Sequence, residues 1–343
     1  MNIYNYIENT KNNNFDNLTT LDALIFTRLS YIHFEKILDK LPISILNLSS
    51  YLIDIHTSKK DIKLINLLQK SKRFKDIRIK CCGHIQDITQ EEQMTAITII
   101  LPNDELFISF RGTTKNVYDF KEDMNMSYKI IPSCIDAVKY VNEEAKSSKV
   151  YISGHSKGGH LAMYAGINAK WYIKRKIKKI YNFDGPGFLT IDKKFNLMKK
   201  KIINYFPENS VVGRLMNNEA EIIAIKTNKQ GIESHNIYNW KVVNDDLVIG
   251  KLTNKSNEFH QQCLTLLDTI SKEKREEVIK YFFTIMMKGE IKSIKELDLS
   301  KIKRIIDEVP HLLKNEKKEL INFAMSLIKC TIPTASSSHK VVN

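Results

Sequence analysis

The feature that most constrains this chain is a strand that enters a tight, glycine-flanked turn and leaves it as a helix. The segment KVYISGHSKGGHLAMYAG holds an apolar run, the pentapeptide GHSKG at 154–158, and a stretch rich in small residues. A residue on such a turn adopts strained backbone angles that bring its neighbours too close for a Cβ, which explains glycine on both sides. The pattern predicts Ser156 as a raised nucleophile and the Lys157 amide as a donor to a developing oxyanion. The alternative is a glycine-rich turn that binds phosphate or has only a structural role.

The elements around this turn predict an α/β fold. Apolar, β-branched runs of strand length occur at Ile77–Cys82, Thr95–Leu101 and Glu105–Phe110, and the last two are separated by a hairpin turn. Helical and strand patterns then alternate as far as the run Glu221–Lys226. Strands alternating with helices of this length predict a mostly parallel sheet flanked by helices on both faces.

The flanking segments extend this core at both ends. Residues 1–18 are rich in asparagine and are predicted to be a loose N-terminal segment. The core is predicted over 19–252 and begins with N-terminal helices, the first of them over Leu21–Leu38, where apolar residues recur three and four apart. Residues 253–330 are charged and helically periodic, which predicts a helical C-terminal appendage, and 331–343 is predicted to be a flexible tail.

Composition restricts the classes of partner and compartment. The formal net charge is +14, mostly from lysines strewn through the chain, and no nucleic-acid motif accompanies it, so nucleic acid is not an expected partner. Attraction to an anionic membrane surface remains open as a peripheral contact. Five cysteines without paired spacing indicate neither a disulfide framework nor a zinc site. With no apolar signal segment and no long apolar run, we expect a cytoplasmic protein.

The motifs GHSKGGHLAMYA, SFRGT and YNFDGPGF resemble those of the Mbeg-like family of uncharacterised bacterial lipase-like α/β-hydrolases. That family is distantly similar to the fungal-type triacylglycerol lipases. The similarity extends from the helix that starts at Leu21 to about residue 250, roughly two thirds of the chain. The family commonly has Asn where this chain has His160, a position outside the nucleophile. The resemblance implies an α/β-hydrolase fold with lipase or esterase activity.

A second oxyanion donor is expected from the loop after an earlier strand. The segment FRGTT follows the strand run Glu105–Phe110 at the appropriate place. In the lipases that this motif resembles, the Thr position supplies a backbone N–H and a hydroxyl, which makes Thr113 the candidate. The alternative is a plain turn in which Arg111 makes structural salt bridges.

The general base should be a histidine that follows the nucleophile in chain order. His235 lies in a loop-like segment after the run Glu221–Lys226, where the resemblance also places it, and His260 is the substitute. Two residues could be the acid that orients the base. Asp184 lies in the FDGPG loop, and Glu208 occupies the place where fungal-type lipases carry their acid; we favour Asp184.

These residues predict a serine hydrolase that cleaves carboxylic esters of small molecules or lipids, with acyl lipids as the substrate class that the resemblance suggests. Such chemistry needs no cofactor and no metal. The carboxylates of Asp119, Glu122 and Asp123 are therefore expected to form a solvated face or salt bridges to lysines. The alternative function is a non-catalytic, hydrolase-like scaffold that binds a partner or an anionic membrane. The sequence gives no indication of the oligomeric state.

Overall fold

An eight-stranded sheet organises the chain, of which the computed structural model describes residues 1–51, 58–114, 117–287 and 299–331. The strands lie side by side in chain order; β1 to β4 pair antiparallel and β4 to β8 pair parallel. Their bounds are β1 Ile43–Ser44, β2 Arg78–Asp87, β3 Glu92–Ile100, β4 Leu106–Phe110, β5 Val150–His155, β6 Ile177–Phe183, β7 Ile202–Pro207 and β8 Glu221–Ile225. Two short strands, β9 (Val242–Val243) and β10 (Asp246–Leu247), form a separate hairpin.

Helices cover both faces of this sheet. The bounds are α1 Ile3–Thr10, α2 Thr20–Leu29, α3 Lys59–Gln69, α4 Val117–Asn125, α5 Pro132–Glu144, α6 Lys157–Asn168, α7 Trp171–Lys176, α8 Lys193–Met198, α9 Asn254–Thr269, α10 Lys272–Met287, α11 Leu299–Glu308 and α12 Lys314–Thr331. Helices α1 to α3 pack their apolar side chains on one face, and α5 to α8 pack on the other. Strand β4 is therefore buried along its whole length, which explains its continuous apolar sequence. The predicted α/β-hydrolase fold is confirmed.

The parallel part of the sheet determines where polar side chains collect. Thr113 follows β4, Ser156 follows β5, Asp184 follows β6 and Glu208 follows β7. The carboxyl ends of parallel strands meet at one edge of a sheet, so these four residues lie along a single edge.

The N-terminus differs from the loose segment predicted for 1–18. Helix α1 begins at Ile3 because Asn2 caps it: the Asn2 side chain accepts from the Tyr4 amide, and the Asn5 side chain accepts from the Asn2 amide. Ile3, Tyr6 and Ile7 recur on one face and are buried in the core. The asparagines that suggested disorder therefore include a helix cap.

The predicted helix over Leu21–Leu38 is also shorter than expected. Helix α2 ends at Leu29, and 3-10 turns continue the chain from Phe34. The appendage is helical where it is described: α9 packs against α12, α10 packs against α4, and α12 packs against the turn that carries His235. The predicted tail, 331–343, lies outside the described residues apart from Thr331. No helix among the described residues combines the length and apolarity that crossing a membrane requires.

Candidate active site

Ser156 occupies a strained turn between β5 and α6. Its backbone angles are φ 59° and ψ −134°, in a region that costs a non-glycine residue about 1–3 kcal/mol. A Cβ on Gly154 would collide with the Gly158 carbonyl, and one on Gly158 would collide with that of Phe110. The glycines of the motif therefore permit the close packing that the turn needs, and the Ser156 amide is tied to the Phe183 carbonyl at 3.1 Å.

His235 and Asp184 form a hydrogen-bonded pair. Nδ1 of His235 lies 2.6 Å from Oδ2 of Asp184, and the carboxylate is 1% exposed. A carboxylate can only accept, so Nδ1 carries the proton of this bond. Nε2 of His235 is left as the nitrogen that can exchange a proton with a group in the neighbouring cavity.

The second oxygen of Asp184 fixes the carboxylate in place. Oδ1 accepts from Oγ of Ser210 at 2.5 Å and from the Gly213 amide at 3.1 Å, and the Asp184 amide donates to the Tyr205 carbonyl at 2.9 Å. Asp184 is itself in the left-handed region, with φ 51°. These bonds hold the carboxylate in one orientation, with Oδ2 toward His235.

The alternative acid and the alternative base lie elsewhere. The Glu208 side chain packs against Gly250, and its Oε1 accepts from the Lys251 amide at 3.3 Å. His260 lies on α9, where its Nδ1 donates to the Arg214 carbonyl at 2.7 Å. The structure thus brings Asp184, and not Glu208, to His235.

A cavity of 410 Å³ opens beside the turn. Ser156, His235 and Thr113 all contribute to its wall. The full lining consists of Arg28, Tyr31, Ser58, Lys60, Thr113, His155, Ser156, Ile232, His235, Asn236, Ile237 and Tyr238. Three of the residues predicted from the sequence therefore face one space large enough for a small ligand.

The loop that carries Thr113 is held against the nucleophile turn. A Cβ on Gly112 would meet Tyr31, the His155 carbonyl and Ser156, so only glycine fits there. Oγ1 of Thr113 donates to Oδ2 of Asp123 at 2.5 Å. This bond fixes the side chain of Thr113 at the cavity wall.

Carboxylates behind this loop are buried, not solvated as the sequence suggested. Asp119 accepts from the amide and the hydroxyl of Thr114, and burial raises the pKa of Asp123 to about 7. The other expectation, salt bridges to lysines, is met by Glu122, which pairs with Lys157. An acidic stretch of sequence predicts solvent exposure. No local pattern indicates that α4 packs with these carboxylates toward the interior.

The side chain of Lys157 is held in a buried ion pair and is not part of the described cavity lining. Its Nζ lies 2.7 Å from Oε2 of Glu122 and 3.1 Å from the Gln93 carbonyl, with both ionic side chains almost fully buried. Burial alone would lower the pKa of Lys157, but Glu122 and Asp123 together raise it above its usual value. The Lys157 amide is the first of α6, where backbone N–H groups have no partner within the helix.

His155 makes structural hydrogen bonds on both sides of its ring. Its Nε2 donates to the His235 carbonyl at 2.8 Å, so Nδ1 accepts from the Tyr31 hydroxyl, also at 2.8 Å. Burial lowers the pKa of His155 well below its usual value, and His235 lowers it further. Sequence reasoning missed Tyr31, because nothing in the pattern near it indicates a contact 124 residues away.

His160, which occupies the family's usual Asn position, is also structural. Its Nδ1 donates to the Gly187 carbonyl at 2.7 Å, and burial lowers its pKa to about 4. No cluster of three or more histidine, cysteine or carboxylate side chains that could hold a metal occurs within the described ranges.

The chain is similar to one protein family in sequence and to a solved lipase in structure. The sequence profile of the Mbeg1-like family matches residues 68–284, more than half of the chain, and this range includes every candidate residue from Thr113 to His235. Among solved structures, the crystal structure of M37 lipase is similar at 17% sequence identity and a TM-score of 0.38, covering 59% of this chain and 71% of that chain. The search of curated proteins gave no match.

Proposed function

The chain belongs to the Mbeg1-like family, and from that membership and the geometry of the site we propose that it is a serine hydrolase of carboxylic esters, acyl lipids among them. One observation carries the proposal. Ser156, on its strained turn, lines the same cavity as His235, and Nδ1 of His235 is bonded to the buried carboxylate of Asp184. A protein that only binds a partner has no need of that combination.

The reaction begins with attack of the Ser156 hydroxyl on the ester carbonyl. His235 takes the hydroxyl proton at Nε2, because Nδ1 is held by Asp184, and Asp184 stabilises the imidazolium that forms. The proton then passes to the leaving alcohol, which gives an acyl-enzyme on Ser156. Water, deprotonated by His235, releases the acid and restores the serine.

The carbonyl oxygen becomes negatively charged in both tetrahedral intermediates. The backbone N–H of Lys157, at the start of α6, and the backbone N–H of Thr113 stabilise that charge, since the Thr113 hydroxyl already donates to Asp123. Donors fixed in position before the reaction are worth about 2.7–4 kcal/mol each to the transition state in related acyl-transfer sites. The bond from Thr113 to Asp123 supplies this kind of rigidity.

A fluorophosphonate probe tests the proposal, because it reacts covalently with an activated serine. We expect labelling of the wild-type protein and none of Ser156→Ala, with His235→Ala reduced to background. His260→Ala is the matched control, since His260 bonds the Arg214 carbonyl on another part of the molecule, and it should label like the wild type. Equal labelling of the wild type and Ser156→Ala would contradict the proposed hydrolase activity and favour a non-catalytic scaffold.

The acyl part of the substrate is tested separately. A panel of glycerol esters with acyl chains of increasing length should show Ser156-dependent release of fatty acid. If the probe labels the protein but no ester of the panel releases fatty acid, acyl lipids are excluded as substrates. The substrate would then be another class of acyl compound that reacts with the same serine.

A further inference from the structure

Two cations line the cavity beside Ser156. Arg28 and Lys60 contribute to its wall, whereas neither Asp nor Glu occurs among the described residues that line it. We propose that the cavity selects esters that carry a negative charge, a carboxylate or a phosphate, on the acyl or the alcohol part. This inference rests on the proposed ester hydrolysis and names the substrate class of the same site.

Arg28 is held rigidly and keeps donors free. Its Nε and Nη2 bond the two oxygens of Asp61 at 2.7 and 2.8 Å, which leaves Nη1 without a bond to the described residues. The guanidinium also lies over the rings of Tyr31 and Tyr238, 4.3 and 5.3 Å from their centroids. Its side chain remains 19% exposed. A planar donor fixed in this way loses little entropy when it binds an anion.

Asp61 does not compete for that position. Its two oxygens already accept four bonds: Oδ1 from Nε of Arg28 and the Tyr238 hydroxyl, and Oδ2 from Nη2 of Arg28 and the Ser58 hydroxyl. The Asp61 side chain is 3% exposed and is not part of the cavity lining. The charge of Asp61 therefore balances that of Arg28 from outside the cavity. An anion that enters the cavity meets the donors of Arg28 and not the carboxylate of Asp61.

Lys60 supplies the charge that is not balanced. In the described part of the chain it has no carboxylate at ion-pair distance, and its Nζ lies 5.7 Å from the centroid of the Tyr238 ring. Lys60 also belongs to the first turn of α3, which Ser58 caps, so the positive end of that helix adds to the potential at this wall.

Aliphatic side chains form a small part of the described cavity wall. Ile232 and Ile237 are the only aliphatic side chains in the described wall, and Ile232 is 53% exposed. Sites for apolar ligands are lined mainly by hydrophobic side chains, with few polar groups. The rings of Tyr31 and Tyr238 add apolar surface here, but they lie in the same wall as two cations. The wall therefore suits an ester that joins an acyl chain to a charged group.

Matched pairs of esters test the inference, one pair for each position of the charge. On the acyl side, mono-p-nitrophenyl adipate is compared with p-nitrophenyl hexanoate; on the alcohol side, butyryl glycerophosphate is compared with monobutyrin. We expect kcat/KM to favour the charged member of at least one pair on the order of tenfold, the worth of a hydrogen bond to a charged group. The preference should fall as salt is added, because the charges are partly exposed.

Two lysines on α3 provide the variant and its control. Lys60→Gln should reduce the charged-to-neutral ratio about threefold, as expected for an exposed charge, and Lys60→Glu should reduce it further. Lys63 lies one turn along the same helix, over the Tyr4 ring and outside the lining, so Lys63→Gln should leave the ratio unchanged. Equal kcat/KM within both pairs, with cleavage that depends on Ser156, would overturn the inference and leave the hydrolase intact.

A binding measurement separates the two proposals if no ester is cleaved. Absence of cleavage and of probe labelling overturns the proposed function. Calorimetry with Ser156→Ala then compares monomethyl adipate with methyl hexanoate: tighter binding of the charged ester supports the anion-selecting wall, and equal or absent binding of both overturns it.

Discussion

The imidazole of His155 lies against that of His235, with ring centroids 4.3 Å apart, and its Nε2 donates to the His235 carbonyl at 2.8 Å. The residue before the nucleophile therefore holds the backbone of the proposed base. Because the Tyr31 hydroxyl donates to the other nitrogen, His155 is a neutral link between the segment that follows α2 and the turn of His235. A neutral ring at this position places no second positive charge beside the imidazolium that the proposed reaction forms on His235.

Replacing His155 by Phe should affect both stability and turnover. The Tyr31 hydroxyl and the His235 carbonyl lose their partner, which costs about 1–3 kcal/mol of unfolding free energy, and kcat/KM should fall about tenfold as His235 loses its support. Urea unfolding and hydrolysis of p-nitrophenyl butyrate measure the two effects. His160→Phe is the control: it also removes a buried imidazole bonded to a carbonyl, so it should lose stability but keep its kcat/KM. A similar loss of kcat/KM in both variants would contradict the role of His155.

The choice of acid gives the second prediction. Asp184→Asn removes the charge that stabilises the imidazolium and favours the wrong tautomer, and kcat should fall about 10⁴-fold, as in other triads. Glu208→Gln should keep kcat within about twofold, because Glu208 contacts the Lys251 amide and not His235. Steady-state kinetics on one ester decide the matter; a larger loss in Glu208→Gln than in Asp184→Asn would reverse the assignment.

Local sequence was sufficient for the turn at Ser156 but not for its surroundings. Gly154 and Gly158 form a short pattern around Ser156 that the sequence shows directly, although Gly158 also faces the Phe110 carbonyl of another strand. Choosing between Asp184 and Glu208 required knowing how far two loops reach from neighbouring strands, which no local pattern encodes. Arg28 could not be found, because it precedes Ser156 by more than a hundred positions and comes to the cavity only when α2 packs on the sheet.

The buried pair of Lys157 and Glu122 gives the third prediction. Lys157→Met leaves the Glu122 carboxylate buried without a counter-charge, and we expect a loss of about 3–5 kcal/mol of unfolding free energy. Lys157→Met combined with Glu122→Leu removes both charges and should recover most of that loss. Urea unfolding of both variants measures the difference. Lys146→Met is the control, since its pair with Glu143 is exposed; a double variant no more stable than the single one would argue against charge burial as the cause.

The pKa of Asp123 gives a pH dependence of stability whose sign can be derived. Burial raises this pKa from 3.8 to about 7, against the opposing effect of Lys157. Between these values the folded protein retains a proton that the unfolded chain has lost, so this carboxyl's contribution is fully present below the lower value. The contribution is lost as the pH rises through about 7.

Asp123→Asn removes that titration while keeping an oxygen that can accept from Thr113. The unfolding free energy of the variant should therefore decline less than that of the wild type between about pH 5 and about pH 8. We expect a difference on the order of 1–3 kcal/mol, because each unit of pKa displacement is worth about 1.4 kcal/mol. Asp87→Asn is the control: the Thr89 hydroxyl lowers the pKa of this exposed carboxyl, so its removal should not flatten the decline. Parallel pH profiles for the wild type and Asp123→Asn would show that Asp123 is ionised in the folded protein throughout this range.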